Sequence, residues 1–163
     1  MSVRTLPVRT SPIGAAQIRA PRAARGAAPG LSGRTAELLE RADAELVAAQ
    51  FSSEPWEQFT HAHLAALRAG AAVLADRQQA SGRRAPRTVW ELLDAVAPEL
   101  GRWSTYFAAG AGLRAAVDAG RFDAVSSERA EQVLCHAEDF LDIVRSELES
   151  AAEPGLPVAA RAG

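Results

Sequence analysis

The segment PWEQFTHAHLAALRAGAAVLAD, residues 55–76, decides the fold of this chain. Its apolar residues recur at spacings of three and four, which is the pattern of one face of an α-helix. Pro55 stands where a proline suits the first turn of a helix. The segment therefore predicts a long amphipathic helix that begins at Pro55, with a stripe formed by Phe59, His63, Leu67, Gly70 and Leu74.

The same helical period continues through residues 34–150, and no segment alternates as a strand would. Connections rich in Ser, Gly and Pro separate the periodic segments, as between Ser81 and Pro86. The fold class predicted is therefore all-α, an antiparallel up-and-down bundle of about five helices. Besides the helix from Pro55, the pattern predicts helices over residues 34–51, from Thr88, from Pro98 to Ala119, and from Ser126 or Ser127 to Ser150.

Small residues interrupt the predicted helices. Gly70 lies in the second helix, and Gly110 and Gly112 lie in the fourth. A glycine inside a helix costs about 1 kcal/mol relative to alanine, so these positions predict a compensating close approach of two backbones. That approach lies either inside the bundle or across a subunit interface.

The two ends of the chain differ from the predicted bundle. Residues 1–33 carry five Arg, four Pro and no acidic residue, which predicts a disordered basic arm. The arm is either a disordered extension without a binding role or a segment that contacts nucleic acid or an acidic partner. Residues 151–163 predict a second disordered tail. The predicted domain organisation is thus an arm at 1–33, a helical bundle at 34–150 and a tail at 151–163.

Composition restricts the class of protein. The net charge is −2, and the 20 acidic residues all follow the arm, so strong nucleic-acid binding by the whole chain is not expected. Cys135 is the single cysteine, which excludes an internal disulfide and favours a reducing, cytoplasmic setting. No apolar run approaches the ~18 residues that cross a membrane.

Arg129 and His136 are the candidate catalytic residues. Their spacing of seven is within roughly 20° of two helical turns, so both side chains share one face of the last helix. They lie at the border between its apolar stripe and solvent. In RNA cleavage a histidine serves as general base or acid, and an arginine holds the phosphate and its developing charge.

The other polar residues indicate no further catalytic site. His63 follows the apolar stripe and is predicted to be a core histidine, whereas His61 points away from it and is predicted to lie at the surface. The sequence predicts no metal site and no cofactor, because it contains no cluster with metal-ligand spacing. Arg68 and Arg114 lie near apolar stripes, where they either pair with acids such as Asp94 or Glu99 or contact phosphate. Cys135 is predicted to be an exposed thiol without a role.

Several segments resemble an actinobacterial subfamily of HEPN domains (higher eukaryotes and prokaryotes nucleotide-binding). The resemblance covers about residues 34–150 and leaves out the basic arm. It rests on HLAALRAGAAVL at 63–74, RTVW at 87–90, VAPEL at 96–100, FAAG at 107–110 and the segment 130–148.

The resemblance implies an up-and-down bundle that is often a homodimer. Active members use Arg and His from both subunits to cut RNA, and Arg129 and His136 are the positions that carry this role here. Other members bind nucleotides, RNA or protein partners without cutting.

Three hypotheses follow. The chain is a non-catalytic module that dimerises or binds a partner, a metal-independent RNA endonuclease of toxin or defence type, or an accessory protein that binds nucleic acid through its arm.

Overall fold

The fold is described here from a computed structural model, which covers residues 30–77 and 87–152. These residues form six α-helices and two short 3-10 helices, without a strand, which confirms the all-α bundle. None of the helices in these two ranges is long and apolar enough to cross a membrane. The elements are α1 (Gly33–Phe51), α2 (Pro55–Asp76), α3 (Val89–Val96), a 3-10 helix (Pro98–Leu100), α4 (Gly101–Ala108), α5 (Ala111–Asp118), a second 3-10 helix (Phe122–Ala124) and α6 (Ser127–Ala152).

The predicted arm and tail fall almost wholly outside the described residues, as does the predicted linker at 81–86. The division of the chain at residues 33 and 150 therefore stays a prediction. The first and last helices reach slightly beyond the predicted bundle at 34–150, since α1 begins at Gly33 and α6 ends at Ala152.

Local sequence signals account for the helix starts. Ser32 caps α1, where its hydroxyl accepts a hydrogen bond from the Thr35 amide at 3.2 Å. Thr88 and Glu91 form a reciprocal capping box at the start of α3. Pro55 occupies the first turn of α2, as predicted. The starts of α1, α2 and α3 therefore follow from a few residues, whereas α4 and α5 begin without a side-chain cap.

The helix predicted from Pro98 to Ala119 is broken, and this part of the prediction was wrong. Pro98 opens a 3-10 helix, α4 ends at Ala108, and the chain turns at Ala109 and Gly110 before α5. The Gly110 amide donates to the Phe107 carbonyl at 3.0 Å, which closes a tight turn. A Cβ at Gly110 would lie 3.3 Å from the His63 ring, so the turn also brings the backbone close to α2.

Helix α2 lies at the centre of the bundle. It packs against α1 on one side and α6 on another, with α3 covering it further along. Five of its alanines are completely buried, and they are Ala62, Ala65, Ala66, Ala69 and Ala72. Contacts of α1 with α6 run in opposite directions along the two helices, from Gly30 beside Ala152 to Gln50 bonded to Glu138. This pairing establishes that α1 and α6 are antiparallel.

Aromatic side chains fill the space that the alanines of α2 leave between α3, α4 and α6. Phe107 stacks on Trp90 with ring centroids 5.3 Å apart, and Trp103 lies 5.5 Å from Phe140. Phe107 and Phe140 are at most 1% exposed. Burial of such large side chains contributes about 2 to 3 kcal/mol each, so this cluster is a main source of stability.

The glycines separate into close contacts and open positions. A Cβ at Gly70 would meet Val89 at 3.1 Å and Trp90 at 3.3 Å, so α2 and α3 approach closely there. Gly112 has no atom within 4 Å of such a Cβ. The prediction of close approach is confirmed for Gly70 and Gly110 within the bundle, and Gly112 is not explained by a contact inside the subunit.

These two environments predict opposite effects of substitution. We expect Gly70→Leu to lower the free energy of unfolding by about 2 kcal/mol, because it overpacks the contact with α3. Gly112→Ala should raise it by about 0.5 kcal/mol through helix propensity alone. Urea denaturation of both variants beside the wild type measures this, and a Gly70→Leu protein as stable as the wild type would contradict the close approach.

Candidate functional site

The start of α6 places Arg129 and His136 on one side of the helix. The Ser126 hydroxyl accepts a hydrogen bond from the Arg129 amide at 3.1 Å, which caps the helix as predicted. Both side chains are half-buried, at the border between core and solvent where the apolar stripe predicted them. The helix therefore fixes the pair in position with only the outer part of each side chain reachable.

Tyr106 on α4 packs against both members of the pair. Its ring stacks on the His136 imidazole with centroids 4.2 Å apart and planes at 10°. The Arg129 guanidinium carbon lies 5.5 Å from the same ring, within the range of a cation–π contact. Trp103 meets the His136 ring edge-on at 6.1 Å. The Tyr106 ring thus contacts both the arginine and the histidine, which lie two helical turns apart.

Gln132 bonds both members from within α6. Its side-chain oxygen accepts from the Arg129 guanidinium at 2.8 Å, and its backbone carbonyl is 2.7 Å from Nδ1 of His136. A carbonyl only accepts, so Nδ1 of His136 carries the proton. In the neutral imidazole this leaves Nε2 as an acceptor. Gln132 therefore sets the direction of the guanidinium and the tautomer of the imidazole.

The Tyr106 hydroxyl is buried and has no hydrogen-bond partner among the described residues. Burial raises the pKa of this hydroxyl above its usual value, and the nearby Arg129 only partly opposes the shift. The ring of Tyr106 thus provides the contacts of the site, while its oxygen contributes no bond to them.

An open depression of about 360 Å³ lies beside the arginine. It is lined by Ser126, Glu128, Arg129 and Gln132. The guanidinium favours an anion there, and the carboxylate of Glu128 opposes it. The depression is thus open to solvent and is lined by charges of both signs.

The two arginines predicted as possible phosphate contacts are paired within the chain. Arg68 lies 2.7 Å from Glu45 on α1, and Arg114 donates to Asp118 at 3.0 Å. The prediction of ion pairing is confirmed, but the suggested partners Asp94 and Glu99 were wrong. Glu45 lies on a neighbouring helix, and Asp118 lies one turn after Arg114. Spacing within one segment does not show which of several acids an arginine will pair with. Contact of either arginine with phosphate stays a prediction.

The other two histidines lie on opposite sides of α2. His63 is 7% exposed and stacks on Phe59, which confirms the core prediction. Burial, helped by the charge of Arg114, lowers the pKa of His63 to about 4. His61 is half-buried and its Nδ1 lies 2.6 Å from Glu45, since α1 covers that side of the helix.

Cys135 is exposed and free, as predicted. Among the residues of the described ranges, no three His, Cys, Asp or Glu side chains are grouped so that they could hold a metal ion.

Sequence reasoning missed Tyr106 and Gln132. Gln132 stands three residues after Arg129 and four before His136, which are the two spacings at which helical side chains meet. That signal was available in the sequence. Tyr106 is the only tyrosine of the chain, and its contact with the pair depends on how α4 crosses α6, which no local pattern encodes.

The all-α bundle is the fold that the resemblance to HEPN domains implies. Residues 49–145, more than half of the chain, match the family model described as SAV_6107-like HEPN. The chain belongs to this HEPN family. Neither a search of curated proteins nor a search of solved structures gave a match.

The unpartnered hydroxyl of Tyr106 gives a stability prediction. Tyr106→Phe should raise the free energy of unfolding by about 1 kcal/mol, because it removes a buried polar atom without a partner and keeps the stacked ring. Tyr106→Leu should lower it by about 1 kcal/mol, since the stack on His136 is lost. Chemical denaturation tests both, and a loss of stability in Tyr106→Phe would mean that the hydroxyl is bonded after all.

The depressed pKa of His63 predicts a pH dependence. Between pH 6.5 and about 4 the unfolded state binds a proton at His63 that the folded state does not. The free energy of unfolding therefore falls as the pH drops through this window, by up to about 1.4 kcal/mol per pH unit from this group. Below the window this contribution stops changing.

The measurement compares wild type with His63→Leu from pH 7 to pH 4 by urea denaturation. The carboxylates titrate in both proteins, so the difference between the two curves isolates His63. Parallel curves would show that His63 takes up a proton as easily in the folded protein as in the unfolded chain.

Proposed function

We propose that this chain is a non-catalytic HEPN-type module that forms a homodimer in the cytoplasm and binds a nucleotide, RNA or protein partner. The observation that carries the proposal is the engagement of both candidate side chains. Arg129 and His136 are each bonded to Gln132 and packed on Tyr106 within the same subunit. The orientation of both side chains is thus fixed within the subunit before any ligand arrives.

RNA cleavage without a metal needs two proton transfers. One group takes the proton of the 2′-hydroxyl, and another protonates the 5′-oxygen that leaves. Each subunit offers one imidazole at this site, and its neighbour Tyr106 is a poor proton donor because burial raises the pKa of its hydroxyl. A single subunit therefore supports binding at this site better than cleavage.

The endonuclease alternative also has an observation in its favour. Nδ1 of His136 is held by a carbonyl, so Nε2 is the atom left to accept a proton. If a dimer places two such histidines on either side of one phosphate, the two transfers become available. The cleavage assay below decides between the two functions.

The dimer would use the apolar surface at the corner between α1 and α2. Three large hydrophobic side chains are exposed in the described residues: Val47 at 51%, Phe51 at 85% and Phe122 at 47%. Phe122 stacks on Trp56, with centroids 4.3 Å apart, at the start of α2. Burying a side chain such as Phe51 contributes roughly 2 kcal/mol to association.

The cleavage assay uses single-stranded RNA, EDTA and four variants. We expect no cleavage above background for wild type, Arg129→Ala or His136→Ala. Arg34→Ala and His61→Ala serve as matched controls, because they remove the same side-chain types elsewhere. Cleavage by wild type and both controls that is lost in Arg129→Ala and His136→Ala would establish the endonuclease instead.

Binding can be followed through Trp103, whose ring touches His136. Addition of a nucleoside triphosphate or a short RNA should give a saturable change in tryptophan fluorescence. The change should weaken about tenfold or more in Arg129→Ala, which loses a charge-assisted contact, and persist in the control Arg34→Ala, whose side chain is exposed near the start of α1. No change with either compound would leave a protein partner as the form of the proposal that survives.

The dimer is tested by light scattering after gel filtration. We expect Phe51→Asp to shift the protein from dimer to monomer, because a carboxylate would be buried in the interface. Glu54→Gln, on the adjoining turn, serves as the control and should stay dimeric. A wild-type monomer at all concentrations would overturn this part of the proposal.

A further inference from the structure

Helix α6 presents an outer face with charges of a single sign. Six acidic residues lie within an arc of about 100° around the helix axis, and that arc contains no basic residue of α6. The face runs almost the full length of the helix, with Cys135 at its middle. Its acidic members are Glu128, Glu131, Glu138, Asp139, Asp142 and Glu149.

The negative charge of this face is little compensated. Glu138 accepts a hydrogen bond from Gln50, and Asp142 lies 3.8 Å from Arg145. The other four acids form no ion pair with a described residue, and all four are exposed. Like charges at spacings of three and four destabilise a helix by roughly 0.2 to 0.5 kcal/mol per pair. A basic segment bound along the face would relieve this repulsion.

The end of α6 adds to the negative potential. Its last turn contains no basic residue to offset the partial negative charge of a helix C-terminus. The chain enters the bundle at this end, because a Cβ on Gly30 would lie 3.0 Å from Cβ of Ala152. Gly30, the residue to which residues 1–29 are joined, therefore lies beside the C-terminal end of α6.

The tethered segment has the opposite charge and sufficient length. Residues 1–29 contain five arginines, Arg4, Arg9, Arg19, Arg22 and Arg25, and no acidic residue. Fully extended, a segment of this length reaches up to ~95 Å. Helix α6 is only ~39 Å long. The segment can therefore follow the whole face from its point of attachment.

We propose that residues 1–29 dock along the outer face of α6 of the same chain, through pairing of their arginines with its carboxylates. This interaction goes beyond the proposed function and does not depend on it. It is electrostatic and exposed, so it weakens with salt. Nucleic acid or an acidic partner would reach the arginines only by displacing the carboxylates of α6.

The native cysteine allows a direct test. A nitroxide label on Cys135, at the middle of the face, broadens the amide signals of nearby residues in the full chain labelled with ¹⁵N. At ~10 mM salt we expect the signals of residues 1–29 to fall to about half or less of those with a diamagnetic label, and to recover near 0.5 M salt as screening increases. Unchanged intensities at low salt would overturn the proposal.

Charge variants separate docking from mere tethering. Glu131→Gln with Asp139→Asn and Asp142→Asn should restore the signals of residues 1–29 at low salt. The control, Glu54→Gln with Asp94→Asn and Asp123→Asn, removes three exposed carboxylates elsewhere and should leave the signals weak. Equal loss in both triple variants would show chance proximity rather than docking, and would refute the proposal.

A mixing experiment identifies the chain that supplies the segment. Unlabelled protein with nitroxide on Cys135 is added to ¹⁵N-labelled Cys135→Ser protein. We expect no broadening of residues 1–29 in this mixture, because the docking occurs within one chain. Broadening as strong as in the singly labelled chain would assign the arm to a second copy and contradict docking within the same chain.

Discussion

The bundle depends on the small side chains of its central helix, α2. Three neighbours pack around α2, and this is possible because its buried positions are mostly alanine and glycine. Gly70 lets α3 approach at van der Waals distance, and Gly110 gives the α4–α5 turn the same access to His63. The bulk that α2 lacks is supplied from outside by Trp90, Phe107 and Phe140. The interior is thus filled by large aromatic side chains that surround a helix with small side chains.

That arrangement determines the candidate site. Helix α4 is held against α6 by the aromatic cluster, in which Trp103 touches both Phe140 and His136. Tyr106 follows one helical turn after Trp103. The packing that buries the Trp103 ring therefore also places the Tyr106 ring against the imidazole of His136. The Arg129 and His136 pair is therefore coupled to the core, and core substitutions will alter its geometry.

The sequence predicted what local patterns control. The helical period, the start of the last helix near Ser126 and the border position of the pair all follow from spacing along one segment. The break at Gly110 was missed because the helical period runs on across it, while the close approach made there is to His63, more than 40 residues away in the chain. The partners of Arg68 and the stack of Tyr106 on His136 were missed for the same reason, since helix crossings decide them.

The contact between Gly30 and Ala152 has a consequence for the architecture of larger proteins. Since the two ends of the described bundle touch, the module can be inserted into a surface loop of a host domain without separating the host's strands or helices. The same proximity permits a circular permutation in which a short linker joins these ends and new termini open between α1 and α2. In this respect the bundle is a unit that can be moved from one protein to another.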